Sequence, residues 1–146
     1  MSPELRPGSP LVVDTSAFSR LANDDAASEA LRRCADGRFL FLSFVTVGEA
    51  LRGARAGGWG PKRVEALEDS FRPYGVLSGN ITVARTYAEL WALLRRAGTP
   101  VGDNDLWIAA TALAQDPPLP VLTSDGDFRK IAAVSELEVL MPEAMA

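Results

Sequence analysis

The chain has 146 residues and a formal net charge of −4, and it contains one cysteine and no histidine. A chain of this length is expected to form about one domain with a sizeable core. The lack of histidine excludes Ser-His-Asp and Cys-His nucleophile systems and nearly every type of zinc site. A single cysteine excludes an intramolecular disulfide and a thiolate metal cluster. The excess of acids argues against a nonspecific polyanion binder, but it does not exclude nucleic acid at a locally basic face.

Residues 1–10 contain three prolines and few apolar side chains, so we expect a flexible N-terminal segment there and a single domain over residues 11–146. No apolar run approaches the ~20 residues of a membrane span, and the N-terminus does not show a basic segment followed by an apolar signal core. We therefore predict a cytoplasmic protein that does not contact a membrane.

Short apolar runs predict the strands of a sheet. They cover residues 11–13, 39–43, 74–77, 120–123 and 137–140. The first run, Leu-Val-Val, has no polar residue and ends at Asp14. Such a run is typical of a central strand that is buried on both faces of a parallel sheet.

Apolar residues at three- and four-residue spacing predict helices between these strands. The helices are expected within residues 17–22, 25–37, 46–55, 62–71, 80–98 and 102–114. In the long fifth helix, Asn80 is the predicted N-cap and Gly98 the predicted end, and the aromatic stripe with Tyr87 and Trp91 is interpreted as core. Strands that alternate with helices predict an α/β fold, here an α/β/α sandwich with a central, mostly parallel sheet.

Acidic residues stand next to these elements in four separate segments. Asp14 and Asp125 follow predicted strands, whereas Glu49 and Asp105 lie near the starts of predicted helices. Right-handed crossovers bring the carboxyl ends of parallel strands to one edge of the sheet, and ligands bind at that edge in such folds. We therefore expect the four carboxylates to meet there.

Each of these acids also has a simpler interpretation. Asp14 and Asp105 are suitable helix caps, and Glu49 can pair with Arg52 or Arg55 at helical spacing. Independent caps and ion pairs would have no reason to converge, so convergence favours a shared function. Grouped carboxylates repel each other unless a hard cation such as Mg²⁺ or Mn²⁺ neutralises them. In a chain without histidine, this arrangement is typical of metal-assisted phosphodiester hydrolysis.

Four motifs resemble those of PIN-domain ribonucleases, and in particular those of the VapC toxins of type II toxin–antitoxin pairs. The motifs are Val13-Asp14-Thr15-Ser16, Thr46-Val47-Gly48-Glu49, the segment from Asn104 to Leu113, and Thr123-Ser124-Asp125-Gly126-Asp127-Phe128. The resemblance covers nearly the whole chain from Leu11 onward. It implies a PIN-like fold and a Mg²⁺- or Mn²⁺-dependent endoribonuclease that cleaves RNA and so blocks translation. It also implies a cognate VapB-like antitoxin that inhibits the enzyme, a homodimer, and promoter DNA that is bound only through the antitoxin.

The resemblance also implies roles for site residues. The principal metal ligands would be Asp14 and Asp105. Glu49, acting directly or through water, and Asp125 would complete the acidic pocket. The supporting residues would be Thr15, Ser16 and Thr123. Apart from the resemblance, Arg52 or Arg55 is a candidate contact to RNA phosphate. Among the additional acids, Asp103 is interpreted as a helix cap, and Asp127 stays an alternative to Asp125 as the fourth acid.

Basic residues concentrate around the third and fourth predicted helices. They are Arg52, Arg55, Lys62, Arg63 and Arg72, and they are interspersed with Glu65, Glu68 and Asp69. This mixture favours a solvated surface over a nucleic-acid patch.

Two other functions are alternatives: a catalytically inactive PIN-like protein-binding module, and a Mg²⁺-dependent phospho-acceptor of the receiver type. The full set of four acids argues against the first. A receiver domain would need an aspartate at the end of the third strand and a well-placed lysine. This chain has Leu77 at that strand end, and its lysines are at positions 62 and 130 only.

Overall fold

The computed structural model describes residues 7–22 and 25–142 of the chain. Residues 1–6, most of the segment that we expected to be flexible, lie outside the described residues. The described end of that segment, residues 7–10, contacts the domain through the Ser9 carbonyl, which accepts a 2.8 Å hydrogen bond from Nη1 of Arg38.

A parallel sheet forms the centre of the molecule. Its strands are β1 Leu11–Val13, β2 Leu40–Ser43, β3 Gly75–Leu77, β4 Val121–Leu122 and β5 Val139–Leu140. They lie side by side in the order β3-β2-β1-β4-β5, and every pairing is parallel. Each strand falls within a range predicted from the sequence, so the predicted α/β fold is confirmed.

The helices among the described residues are α1 Thr15–Leu21, α2 Ala26–Ala35, α3 Phe44–Ala56, α4 Pro61–Ser70, α5 Ile81–Ala97, α6 Asp103–Leu113 and α7 Asp127–Val134. As predicted, Asn80 caps α5 by accepting a 2.9 Å hydrogen bond from the backbone N–H of Val83. Gly98 ends this helix in the left-handed conformation, with φ at +70°. The sequence analysis misses α7, because the aspartates and glycine before Phe128 favour a turn.

Helices cover both faces of the sheet and complete the sandwich. On one face, α5, α6 and α7 pack around a core that includes Val12, Leu90 and Ile108. On the other face, α1 and α2 pack around a core that includes Leu11 and Val13. Neighbouring residues of β1 thus point into opposite cores, as the alternation of side chains along a strand requires. No helix in the described part of the chain is both long and apolar enough to cross a membrane.

The aromatic stripe of α5 is not all core, which corrects the sequence-based interpretation. Trp91 is 46% exposed, and Cζ of Arg95 lies 4.7 Å from the centre of its ring. The buried face of α5 contains instead Val83, Leu90 and Leu94. Only one face of this helix packs against the domain, so some members of the apolar stripe, among them Ile81 and Trp91, remain at the surface.

We predict opposite effects for two glycine-to-alanine substitutions. Gly98→Ala places a Cβ at a positive φ and should lower the free energy of unfolding by about 1 kcal/mol. Gly53→Ala, inside α3, meets no atom within 4 Å and should raise it by up to about 1 kcal/mol. Urea denaturation measures both. A Gly98→Ala protein as stable as the unsubstituted chain would contradict the left-handed cap.

Candidate active site at the carboxyl edge of the sheet

Asp14 is buried at the end of β1, with 1% of its surface exposed. Its carboxylate caps α1 by accepting a 2.8 Å hydrogen bond from the backbone N–H of Ala17. It also accepts hydrogen bonds from Oγ of Ser16 at 2.9 Å and from Oγ1 of Thr123 at 2.5 Å. Burial raises the pKa of Asp14, the nearby charge of Asp125 raises it further, and these hydrogen bonds partly offset the rise. The capping interpretation is therefore confirmed, and the same carboxylate also faces the other acids.

Glu49 lies on α3 and is held by two neutral donors. Oγ1 of Thr15 donates to its Oε1 at 2.6 Å, and Nδ2 of Asn104 donates to its Oε2 at 3.0 Å. The ion pair with Arg52 or Arg55 that we considered is not formed. Glu49 is instead tied to the starts of α1 and α6, which fixes its carboxylate at the carboxyl edge of the sheet.

Asp105 is the point at which the acids meet. It lies in the first turn of α6, a helix whose alanines at 109, 110 and 112 are fully buried. The pKa of Asp105 is raised to about 7, first by burial and then by the charge of Asp125, by a hydrogen bond shared with that residue, and by the charges of Asp14 and Glu49. The three other acids that the sequence analysis singled out are therefore close enough to interact electrostatically with this one side chain.

The segment after β4 supplies Asp125 and Asp127. The backbone N–H of Asp125 donates to Oγ1 of Thr123 at 2.9 Å, and Oδ1 of Asp125 accepts from the backbone N–H of Asp127 at 2.9 Å. Carboxylate oxygens of Asp105, Asp125 and Asp127 lie within 4.8 Å of one another. Asp127 also forms a 3.1 Å ion pair with Lys130. Both candidates for the fourth acid therefore reach the cluster.

Asp103 does not cap α6, so that expectation is wrong. The N-cap is Gly102, which has no side chain to form a cap hydrogen bond. Oδ1 of Asp103 instead accepts a 2.9 Å hydrogen bond from the hydroxyl of Tyr87, whose ring stacks on Trp107 with 3.8 Å between ring centres. Asp103 thus ties α5 to the start of α6.

Three polar side chains at the site were not given a role by the sequence analysis: Thr46, Asn104 and Ser124. Thr46 is hydrogen-bonded to Thr15 at 3.0 Å, and Oγ of Ser124 donates to Oγ of Ser16 at 3.1 Å. All three positions lie inside the motifs that carry the family resemblance, and Thr46 is one helical turn from Glu49. That spacing could have identified Thr46 from the sequence. The contact of Asn104 with Glu49, in contrast, depends on how α6 packs against α3.

The oxygen atoms of this cluster suit a hard divalent cation. Carboxylate oxygens of Asp105, Asp125 and Asp127 lie near enough to one another that all three could hold one such ion, which takes oxygen ligands. Lys130 is the one basic side chain that forms an ion pair with these acids in the described part of the chain, and its partner Asp127 lies at the margin. The donor set thus fits Mg²⁺ or Mn²⁺.

The family assignment agrees with this geometry. The PIN domain family matches residues 11–134. The chain belongs to the PIN domain family. This PIN chain is 32% identical to Ribonuclease VapC5 of Mycobacterium tuberculosis over 133 residues, which cover 88% of this chain and 93% of the relative. It is 33% identical to Ribonuclease VapC1 of Haemophilus influenzae strain R2866 over 75 residues. This match covers 51% of this chain and 56% of VapC1, so it spans little more than half the length of that relative.

A solved structure shows the same fold. VapBC-5 of Mycobacterium tuberculosis, described as a member of the VapBC family of toxin–antitoxin systems, matches with a TM-score of 0.70 and 30% identity. The match covers 92% of this PIN chain and 99% of the solved chain. The resemblance to VapC proteins and the PIN-like α/β/α fold predicted from the motifs are both confirmed.

The raised pKa of Asp105 predicts how the stability of the metal-free protein depends on pH. The folded-state pKa of about 7 lies above the ordinary value of 3.8, so the folded state retains a proton that the unfolded chain releases. Stability should therefore fall as the pH rises from about 4 to about 7, and the full penalty should persist above that range. In EDTA, Asp105→Asn should raise the unfolding temperature more at pH 8 than at pH 5.

The control for this measurement is Asp36→Asn, at an exposed position just after α2. It should not reproduce the difference between the two pH values. An equal gain from Asp105→Asn at pH 5 and pH 8 would contradict the electrostatic account of the cluster.

Proposed function

We propose that this PIN-domain chain is a metal-dependent endoribonuclease toxin of the VapC type, which hydrolyses phosphodiester bonds of RNA. The observation that carries the proposal is the convergence on Asp105 of carboxylates from three other segments of the chain. The ribonuclease names of the relatives support the choice of substrate.

The residues proposed to hold Mg²⁺ or Mn²⁺ are Asp14, Glu49, Asp105 and Asp125, with Asp127 as an additional acid. A cation bound there would supply an activated water at neutral pH and would neutralise charge on the phosphoryl group. Asp105 would take its carboxylate form with the ion present, because an opposite charge within a few ångströms favours ionisation.

The neutral residues of the site orient the acids. Thr123 and Ser16 hold Asp14 through its two carboxylate oxygens. Thr15 and Asn104 hold Glu49 in the same way, one donor on each oxygen. Each oxygen of Glu49 accepts one hydrogen bond and keeps a second lone pair, so these bonds fix the direction of Glu49 without preventing metal ligation.

Arg52 is proposed to contact an RNA phosphate. It is exposed and lies one helical turn after Glu49 on α3. No acidic side chain pairs with it in the described part of the chain. We assign no catalytic role to Asp103, which is engaged by Tyr87.

We also propose that the protein acts in the cytoplasm as a homodimer inhibited by a cognate VapB-like antitoxin. Promoter DNA would be bound only through that antitoxin. The similarity to VapBC-5, a toxin–antitoxin system, supports the antitoxin. The receiver-type alternative is disfavoured because receiver domains place the first strand between the second and third, whereas here β1 lies between β2 and β4.

Metal-dependent cleavage tests the proposed function directly. The purified chain should cut single-stranded RNA with Mg²⁺ or Mn²⁺, and EDTA should stop the reaction. Asp14→Asn, which keeps an oxygen to cap α1, and Asp105→Asn should each lower the rate by at least ~100-fold, because each removes a charge that binds the ion. Gel analysis of labelled RNA measures the rate, with Asp36→Asn as the matched control. Full activity in both site variants would refute the assignment of these ligands.

Asn104→Ala should weaken metal binding by about 10- to 100-fold, because Glu49 loses the donor that orients one of its oxygens. Mn²⁺ titration by calorimetry measures this effect apart from catalysis. The control is Gln115→Ala, which removes an amide that donates to the Thr111 carbonyl two turns beyond the site. If the two variants bind Mn²⁺ equally well, Asn104 does not position Glu49.

A further inference from the structure

The basic residues around α3 and α4 are exposed, as expected for a solvated surface, but they differ in whether an acid pairs with them. Arg72 pairs with Asp69 at 3.0 Å. Arg52 and Arg55, in contrast, are exposed, and neither forms an ion pair with an acid in the described part of the chain. Two guanidinium groups on the helix that carries Glu49 are therefore available to an anion.

An open pocket of about 400 Å³ lies where α3 ends and α4 begins. Its lining consists of Arg55, Trp59, Pro61, Val64, Glu65 and Glu68. Trp59 is half-buried, and Cζ of Arg63 lies 3.9 Å from the centre of its ring. The indole lies so close to Gly57 that a Cβ there would come within 3.0 Å of Nε1. The pocket therefore includes an aromatic ring that already attracts a planar cation, the guanidinium of Arg63.

Arg52, Arg55 and Trp59 define a path that leads along α3 and its C-terminal turn away from Glu49. Arg52 lies one turn after Glu49, and Arg55 lies one turn after Arg52, about 9 Å along the helix axis from Glu49 at a rise of 1.5 Å per residue. The backbone N–H of Trp59 donates to the Ala54 carbonyl at 3.0 Å, which turns the chain back at the helix end and keeps the indole beside Arg55.

We propose that this path binds the RNA strand on one side of the cleaved bond, with phosphates on Arg52 and Arg55 and a base stacked on Trp59. The proposal rests on the proposed ribonuclease function. Arginines that follow the backbone, together with an aromatic ring that stacks a base, are the usual elements of a single-strand binding groove. Glu65 and Glu68 repel phosphate but can accept hydrogen bonds from base amino groups, so the pocket suits a base. Arg63 is exposed, and its side chain would move aside when the base stacks on that ring.

The chain offers a matched control for this stacking. Trp91 and Arg95 form the same type of cation–π contact on a different helix, α5. The distance from Cζ of Arg95 to the centre of the Trp91 ring is 4.7 Å. Trp91 is 46% exposed, so it can be replaced without opening the core. A nonspecific contribution of surface tryptophan or arginine to RNA binding would be the same at both places.

Binding is measured on the Asp105→Asn chain in EDTA, by fluorescence anisotropy of a labelled 12-nucleotide single-stranded RNA. Trp59→Ala should weaken binding by about 5- to 150-fold, whereas Trp59→Phe should keep most of it. Arg52→Ala and Arg55→Ala should each lower the slope of log K against log salt by about 0.7, the value for one phosphate contact on a single strand. Trp91→Ala and Arg95→Ala should change neither quantity.

Cleavage by chains with an intact Asp105 separates this inference from the function on which it rests. Trp59→Ala should raise KM for RNA and leave the metal requirement unchanged. An unsubstituted chain that neither cuts nor binds RNA would refute the proposed function. If the unsubstituted chain cuts RNA but Trp59→Ala and Arg55→Ala leave KM and binding unchanged, only the inference is overturned. The same holds if Trp91→Ala weakens binding as much as Trp59→Ala does. The path would then be a protein-contact surface. Because Arg55 is exposed, its variant decides the question even if Trp59→Ala does not fold.

Discussion

Repulsion between like charges at Asp105 is the constraint on which the rest of the site depends. Burial of this side chain is the largest cause of its raised pKa, and the nearby charges of Asp125, Asp14 and Glu49 raise the pKa further, to about 7. The surrounding structure holds Asp14 and Glu49 with neutral donors, among them Thr15, Thr123 and Asn104, while Lys130 pairs with Asp127 at the margin of the cluster. The carboxylates are therefore held in direction while their charge is left for a cation to neutralise.

The parallel sheet explains why residues so distant along the chain share one site. β1 and β4 are neighbours, so Asp14 and the segment after β4 leave the sheet at the same edge. Thr123, directly after β4, donates to Asp14 across that boundary. Glu49 reaches the same edge from the second turn of α3 and Asp105 from the first turn of α6, and the bond from Asn104 to Glu49 joins those two helices. Each acid is thus placed by backbone topology, and side-chain hydrogen bonds only refine its position.

The sequence predicts the features that local patterns determine. The apolar run before Asp14, the cap at Asn80 and the glycine stop at Gly98 are properties of neighbouring residues, and the structure confirms them. Trp91 and Asp103 were misinterpreted because their surroundings depend on which face of α5 packs and on where Tyr87 lies. The contact between Asn104 and Glu49 spans 55 positions, so no local pattern encodes it. Sequence reasoning therefore indicated which acids gather, but not what orients them.

A net charge of −4 is compatible with an RNA substrate if the charges are separated in space. The acids at the carboxyl edge form a compact negative centre that one or two divalent ions can neutralise, whereas Arg52 and Arg55 stand along α3 without acidic partners among the described residues. A polyanion would meet positive charge at both places once the metal is bound. In the metal-free protein the same acids would repel the scissile phosphate. Substrate binding close to the acids would then depend on the ion, while binding along α3 would not. Overall composition does not reveal this spatial separation of negative and positive charge.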